Sequence, residues 1–162
     1  MTNRTRPGEP RLLALRLQGF KSFAERTVVE FGGGISAVVG PNGSGKSNLA
    51  DALRWVLGEQ GRTLRTRRAE DLIYAGSSTR RALGMADVTV ILDNEDRLLP
   101  VDFAEVELGR RLFRNGENEF LLNRQKLRLR EKGVPSAVKD GWRGDEIVEV
   151  KIVAPAPGDE RS

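Results

Sequence analysis

Eight consecutive residues, Gly40-Pro41-Asn42-Gly43-Ser44-Gly45-Lys46-Ser47, fit the spacing G-x-x-x-x-G-K-[ST]. Each position in that pattern has a chemical task. Glycines let the backbone wrap an anion with its N–H groups pointing inward. A lysine places a point charge on the β- and γ-phosphates, and a serine hydroxyl ligates Mg²⁺. A helix starting near Lys46 would add its positive end to the same site. The motif therefore predicts a nucleotide site spanning Gly40 to Ser47, with Asn48 next to it. Hydrolysis asks for more: an acidic residue at the end of another strand and a group that orients water. The candidates are Asp71, Asp93, Glu95 and Asp96. Asp71 opens a strand-like stretch, and ILDNED reads as a solvated turn closing a strand. Groups for binding are evident; groups for the chemical step are not.

The flanking elements suit this cradle. The apolar run ISAVV ends on the loop and reads as a buried central strand. After the loop, Leu49, Ala52, Leu53, Val56 and Leu57 recur at three- and four-residue steps, a helix that Gly58 is placed to end. Leu13, Leu15 and Leu17 alternate with polar or small residues in RLLALRLQ, and TVVEF and ADVTVILDN also read as strands. DLIYAG reads as a short strand and SSTRRALGMAD as a loop. AEVELGRRLFRNGENEFLLN reads as two strands around Asn115-Gly116, with a loop that can exceed two residues. EIVEVKIV is a last strand-like piece. Residues 1–10 read as a loose lead-in and APAPGDERS as a frayed tail. There is no internal repeat and no heptad seam.

Composition narrows the chemistry. With 162 residues, one domain and a small appendage are expected. There is no cysteine and no histidine, which excludes disulfides, thiolate or imidazole catalysis and an ordinary zinc site. No run approaches a membrane span and the first residues lack a signal-peptide core, so a cytoplasmic setting is expected. The balance of 27 Lys+Arg against 23 Asp+Glu is mildly basic. Arginines gather at 62, 65, 67 and 68, and again at 110, 111, 114, 124, 128 and 130. Such groups would neutralise DNA phosphates, or form a solvated face balanced by acids such as Glu70, Glu105 and Glu117.

The order LQGFKSFAERTVVEF, GISAVVGPNGSGKSNLADALRWVLGEQ, LRTRRAEDLIYAGSSTRRALGMADVTVILDNED and EFLLNRQK resembles the amino-terminal head segment of bacterial SMC chromosome-segregation ATPases over residues 11–127. The resemblance implies an α/β fold: an ABC-type P-loop NTPase half-head with a mixed sheet, an antiparallel strand layer and a short β-rich tail. It implies ATP and Mg as cofactors, held by Gly40, Pro41, Asn42, Gly43, Ser44, Gly45, Lys46, Ser47 and Asn48, with the Ser47 hydroxyl on the metal. It offers Lys21 of FKSF as a phosphate contact and Arg65 as an arginine finger at the engaged-head interface. It implies partners: a complementary carboxy-terminal head lobe, a second head, and DNA, at the nucleoid. The acidic strand end, the signature motif and the Q-loop glutamine would come from beyond this segment, leaving half of an ATPase.

Two departures from that pattern stand out. Thr66-Arg67-Arg68 replaces the usual glycine pair, and Asn123-Arg124 replaces Asn-Gly at a tight turn. Residues 128–162 read as an appended tail of different origin. Leu129, Gly133, Val134, Pro135, Gly144, Asp145, Val148, Val150 and Pro155 resemble the carboxy-terminal domain of J-domain co-chaperones. The alternatives to an SMC-type half-head are a non-enzymatic nucleotide-binding adaptor and a gene-fusion chimera without evolved activity.

Overall fold

The computed structural model describes residues 10–59, 64 and 66–127. Six strands form one sheet in the order β2-β1-β3-β4-β5-β6. They are β1 (Arg11–Gln18), β2 (Thr27–Glu30), β3 (Met85–Asp93), β4 (Glu105–Phe113), β5 (Asn118–Leu122) and β6 (Gln125–Lys126). Every pairing is antiparallel. One helix, α1 (Lys46–Val56), and a 3-10 turn, Ala69–Leu72, complete the described elements.

The period-2 alternation of the strands sorts residues onto two faces. Leu15 and Leu17 of β1 register with Val90 and Val88 of β3, and Ala86 of β3 registers with Leu112 of β4. All of them belong to a single core cluster that takes in Ala52, Trp55 and Val56 of α1. Removing each such Leu or Val from water is worth about 1.5–3 kcal/mol. Phe20, just past β1, closes the core, its ring 5.4 Å from that of Trp55. The opposite face is polar. There Arg16 pairs with Glu107 at 2.6 Å and Arg111 with Asp87 at 2.5 Å.

The α/β half-head therefore stands, and its antiparallel layer is the sheet just described. Among the described residues no pairing is parallel, so the sheet there is not mixed, and two expected strands do not form. ISAVV is not a strand: residues 35–40 have no ladder partner, and Ile35 and Val39 are 101% and 86% exposed. An apolar run is buried only when a neighbouring strand covers it, and no described strand lies beside this one. Only Asp71 and Leu72 of DLIYAG belong to the 3-10 turn, and its one strand-like contact is Ile73 bridging Phe20. At Asn123-Arg124 both residues take positive φ, 47° and 69°. The turn is tied to β4 by Asn123, whose N–H donates to the Glu107 carbonyl at 2.8 Å, and the Arg124 side chain donates to the Glu107 carboxylate at 3.1 Å. The strand expected at EIVEVKIV and the co-chaperone-like tail lie outside the described residues.

Candidate phosphate-binding site

The loop and helix predicted by the motif are present. The Ser44 N–H donates to the Pro41 carbonyl at 3.3 Å, closing a turn with Gly43 at φ 80°. That is the third turn position, where a type II turn requires positive φ. Gly45 is the N-cap of α1 at φ 93°, without a side-chain cap. Asn48 and Leu49 donate their N–H groups to the Gly45 carbonyl. The first turn of α1 holds no acid, so nothing on the helix opposes the positive end of its dipole. The Lys46 ammonium arches over the loop and donates to the carbonyls of Gly40 and, at 2.6 Å, Pro41. Gly40 to Ser44 are exposed, as is Ser47. The result is a cationic, donor-rich surface at a helix start, chemically suited to a polyphosphate. The Ser47 hydroxyl, at the second helical position, has the chemistry of a hard-cation ligand.

The FKSF stretch packs against this loop through its serine. The Asn48 side-chain amide donates to the Ser22 hydroxyl at 2.8 Å. A Cβ on Gly45 would lie 3.2 Å from that hydroxyl oxygen and 3.4 Å from the Phe23 ring. Lys21 faces elsewhere. Its ammonium donates to Asp51 at 2.6 Å and to the Leu64 carbonyl at 2.9 Å. Asp51 is fully buried and also accepts from Arg54 at 2.7 Å. Asp51 was missed by the sequence reading, although an acid one position from Ala52 on the apolar side of α1 was the available signal. Arg65 lies outside the described residues.

None of the acids weighed for metal chemistry reaches the loop. Asp93 is in register with Arg11 and pairs with it at 3.1 Å, at the opposite end of β1 from the turn that touches the loop. Seven residue steps of strand separate those ends, about 23 Å. Asn94, read as part of an ordinary turn, is buried, and its amide is bonded to Leu99, Val101 and Phe103. Glu95 and Asp96 lie in the turn beyond it. Asp71 accepts from the N–H groups of Arg67 and Arg68 at 3.2 and 2.9 Å, capping the 3-10 turn. Among the described residues no group of three acids is placed to hold a metal ion.

The arginines do not form one patch. Arg110 is buried, with its guanidinium between the Trp55 and Phe120 rings at 4.8 and 4.7 Å. Arg114 donates to the carbonyls of Leu83 and Tyr74. Arg111 and Arg124 are paired with Asp87 and Glu107. A cavity of about 320 Å³ opens on this outer face, lined by Arg16, Arg26, Thr89, Arg111 and Arg124 with Asp87 and Glu107. It is on the face opposite α1. Burial alone would push the Glu107 carboxyl up, but hydrogen bonds and charge from Arg124 and Arg16 outweigh it and hold the carboxyl below the usual range. Arg62, Arg128 and Arg130 lie outside the described residues.

Residues 11–134 match the family described as RecF/RecN/SMC N terminal domain. The chain belongs to that family. Within it the likeness is to SMC proteins. The chain is 58% identical over 121 residues to the chromosome partition protein Smc of Bacillus subtilis (strain 168), covering 74% of this chain and 10% of the relative. It is 51% identical over 137 residues to the Smc of Mycolicibacterium paratuberculosis, covering 84% and 11%. This SMC-type lobe thus spans about a tenth of the length of the curated relatives it matches. Among solved structures, it is similar to the Smc head domain with an extended coiled coil bound to the C-terminal domain of ScpA, derived from Pyrococcus furiosus. That match has a TM-score of 0.71 and 40% identity, over 74% of this chain and 30% of the other. A chain solved in work on ATP-driven dimerization and DNA-stimulated activation of SMC ATPases gives a TM-score of 0.70 at 38% identity, over 73% and 72%. The recombination mediator RecF–ATP, at 22% identity and TM-score 0.56, shares the fold with the SMC-type lobe.

Proposed function

We propose that this lobe, over residues 11–127, binds ATP and Mg²⁺ and serves as one half of a chromosome-segregation ATPase. Gly40 to Ser47 hold the triphosphate with Asn48 beside them, Lys46 meets the β- and γ-phosphates, and Ser47 ligates the metal. Lys46 reaches the phosphates by leaving the carbonyls of Gly40 and Pro41. A carboxy-terminal head lobe supplies the acidic group and the water-orienting group, and Arg65 acts across a second head. DNA at the nucleoid, in the cytoplasm, is the polymer on which the assembly works.

The observation that carries this reading is the state of the segment entering the loop. Ile35 to Val39 have the composition of a central strand yet lie outside the sheet, exposed. An exposed apolar run beside a complete phosphate loop supports a site finished by another lobe. The loop supports binding, and the place of Asp93 beside Arg11, at the far end of β1, supports a catalytic acid from elsewhere.

The test is Mg²⁺-dependent binding of a fluorescent ATP analogue to the lone chain, and ATP turnover with and without an added carboxy-terminal head lobe. Binding that disappears in Lys46→Ala, and turnover only in the mixture, are expected. Binding unchanged by Lys46→Ala would overturn the phosphate-loop assignment. Turnover by the lone chain, abolished by Lys46→Ala, would overturn the half-site.

A further inference from the structure

Lys21 is an unusual residue to find where it sits. Its backbone is at φ 46°, a region that residues with a Cβ seldom occupy. Its charge is directed inward, onto a carboxylate that is 0% exposed. Strained backbone and a buried ion pair both cost free energy, so the surrounding structure must over-determine them.

The bonds of this one residue run to three points on two segments. The Lys21 N–H donates to the Leu72 carbonyl at 2.7 Å, while its ammonium donates to the Leu64 carbonyl at 2.9 Å and to Asp51 of α1 at 2.6 Å. Leu64 and Leu72 are both buried, at 0% and 1% exposure. Lys21 therefore grips residues 64–72 at both ends and ties them to the helix that begins at the phosphate loop. Arg54 also pairs with Asp51, but it sits three residues along the same helix, and among the described residues its other pair is Glu59, just past the helix end, at 3.9 Å. The next residue, Ser22, takes the hydrogen bond from Asn48. Adjacent residues thus hold the phosphate loop on one side and the 64–72 segment on the other.

We propose that Lys21 is a positioning residue rather than a phosphate ligand: a two-point clamp that sets the 64–72 segment, which contains Arg65 in sequence, relative to α1. The clamp makes that segment sense occupancy of the phosphate loop, a coupling that rests on the nucleotide reading above. The clamp itself does not rest on it.

Hydrogen–deuterium exchange on the full chain separates the two. In Lys21→Met/Asp51→Asn, which removes both charges and leaves neither buried alone, exchange of residues 66–72 without nucleotide should quicken roughly 10- to 100-fold. The amides of β3 and β4 should not change, as a general loss of stability would require. Unaltered exchange at 66–72 in the folded variant overturns the clamp. With ATP and Mg²⁺, the wild-type chain should gain protection at both 41–48 and 66–72, and the variant at 41–48 only. Equal protection of 66–72 in both chains overturns the coupling. No protection at 41–48 in the wild type would mean that the nucleotide reading has failed, while the nucleotide-free comparison still decides the clamp. Should the double variant not fold, Asp51→Asn alone makes the same comparison, with a smaller rise expected and none overturning it.

Discussion

Replacing Arg110 should cost more stability than replacing any of the exposed arginines, although the sequence presents them alike. Its guanidinium donates to the Trp55 carbonyl at 2.8 Å and to the Glu59 carbonyl at 2.9 Å. Trp55 is in the last turn of α1, where its carbonyl also accepts the Gly58 N–H at 3.1 Å, and Glu59 follows the helix end, so Arg110 reinforces the C-terminal cap. A third bond reaches the Asn118 side chain at 3.2 Å. The ring planes of Trp55 and Phe120 cover the cation, an arrangement worth up to about 2 kcal/mol when desolvated. Truncation takes this partner from the Glu59 carbonyl and the Asn118 amide oxygen, at about 1–3 kcal/mol for each that stays dry, while the Trp55 carbonyl keeps the Gly58 N–H. Partial rehydration and relaxation lower the sum, and the working expectation for Arg110→Ala is about 3–5 kcal/mol. That is a large share of the roughly 5–15 kcal/mol that holds a domain folded.

The assay is urea unfolding followed by Trp fluorescence, which Trp55 reports directly, comparing Arg110→Ala, Arg110→Lys and Arg111→Ala. Lysine keeps the charge but not the planar fork, so it should recover only part of the loss. Arg111→Ala, on the solvated face, should change stability by under about 1 kcal/mol. Arg110→Ala matching Arg111→Ala would refute the reasoning, because the buried cation would then contribute no more than a surface pair.

Two further outcomes follow from other sites. Gly45→Ala forces a Cβ onto a residue at φ 93°, 3.2 Å from the Ser22 oxygen; it should cost about 1–2 kcal/mol and weaken the Mg²⁺–nucleotide complex, and a variant as stable and as tight-binding as wild type would sink this account. Glu107 titrates below an ordinary glutamate, so its contribution is complete above about pH 4.3 and is lost as the pH falls through the lower native value. The stability gap between wild type and Glu107→Gln, measured by denaturation from pH 7 to pH 3, should therefore close on the acid side, and a gap that widens there contradicts the sign.

The elements legible in the sequence were those whose signal is local. Alternation placed β1, β3 and β4 because each residue's face follows from period 2 alone, and the cap at Gly58 and the loop at Asn115-Gly116 follow from backbone preference. The phosphate loop was legible for the same reason: Gly43 and Gly45 occupy positive φ in a segment that needs no distant partner. The site's neighbours were not legible, because they are set by pairings across the fold. Lys21 resembles a phosphate ligand in a linear reading, and only the contact with Asp51, 30 residues away, turns it inward. Arg110 resembles Arg111 until the register with Val88 puts it on the α1 face.

The segment Ile35–Val39 shows the limit of the same logic from the other direction. Its composition records an environment, a strand flanked on both sides, and the described residues do not provide that environment. Propensity alone does not make a strand in water, because a ladder needs a partner to repay the entropy of extending the chain. On the half-site reading, composition and conformation agree once the second lobe is counted: the run is apolar because it is buried in the complete head, and unpaired because its partner strands are on another segment. The phosphate loop begins directly after the last residue of that run. Pairing the run would fix the entry to the loop from the side that the FKSF turn does not hold, so the lobe that brings the missing acid would also brace the cradle it acts on.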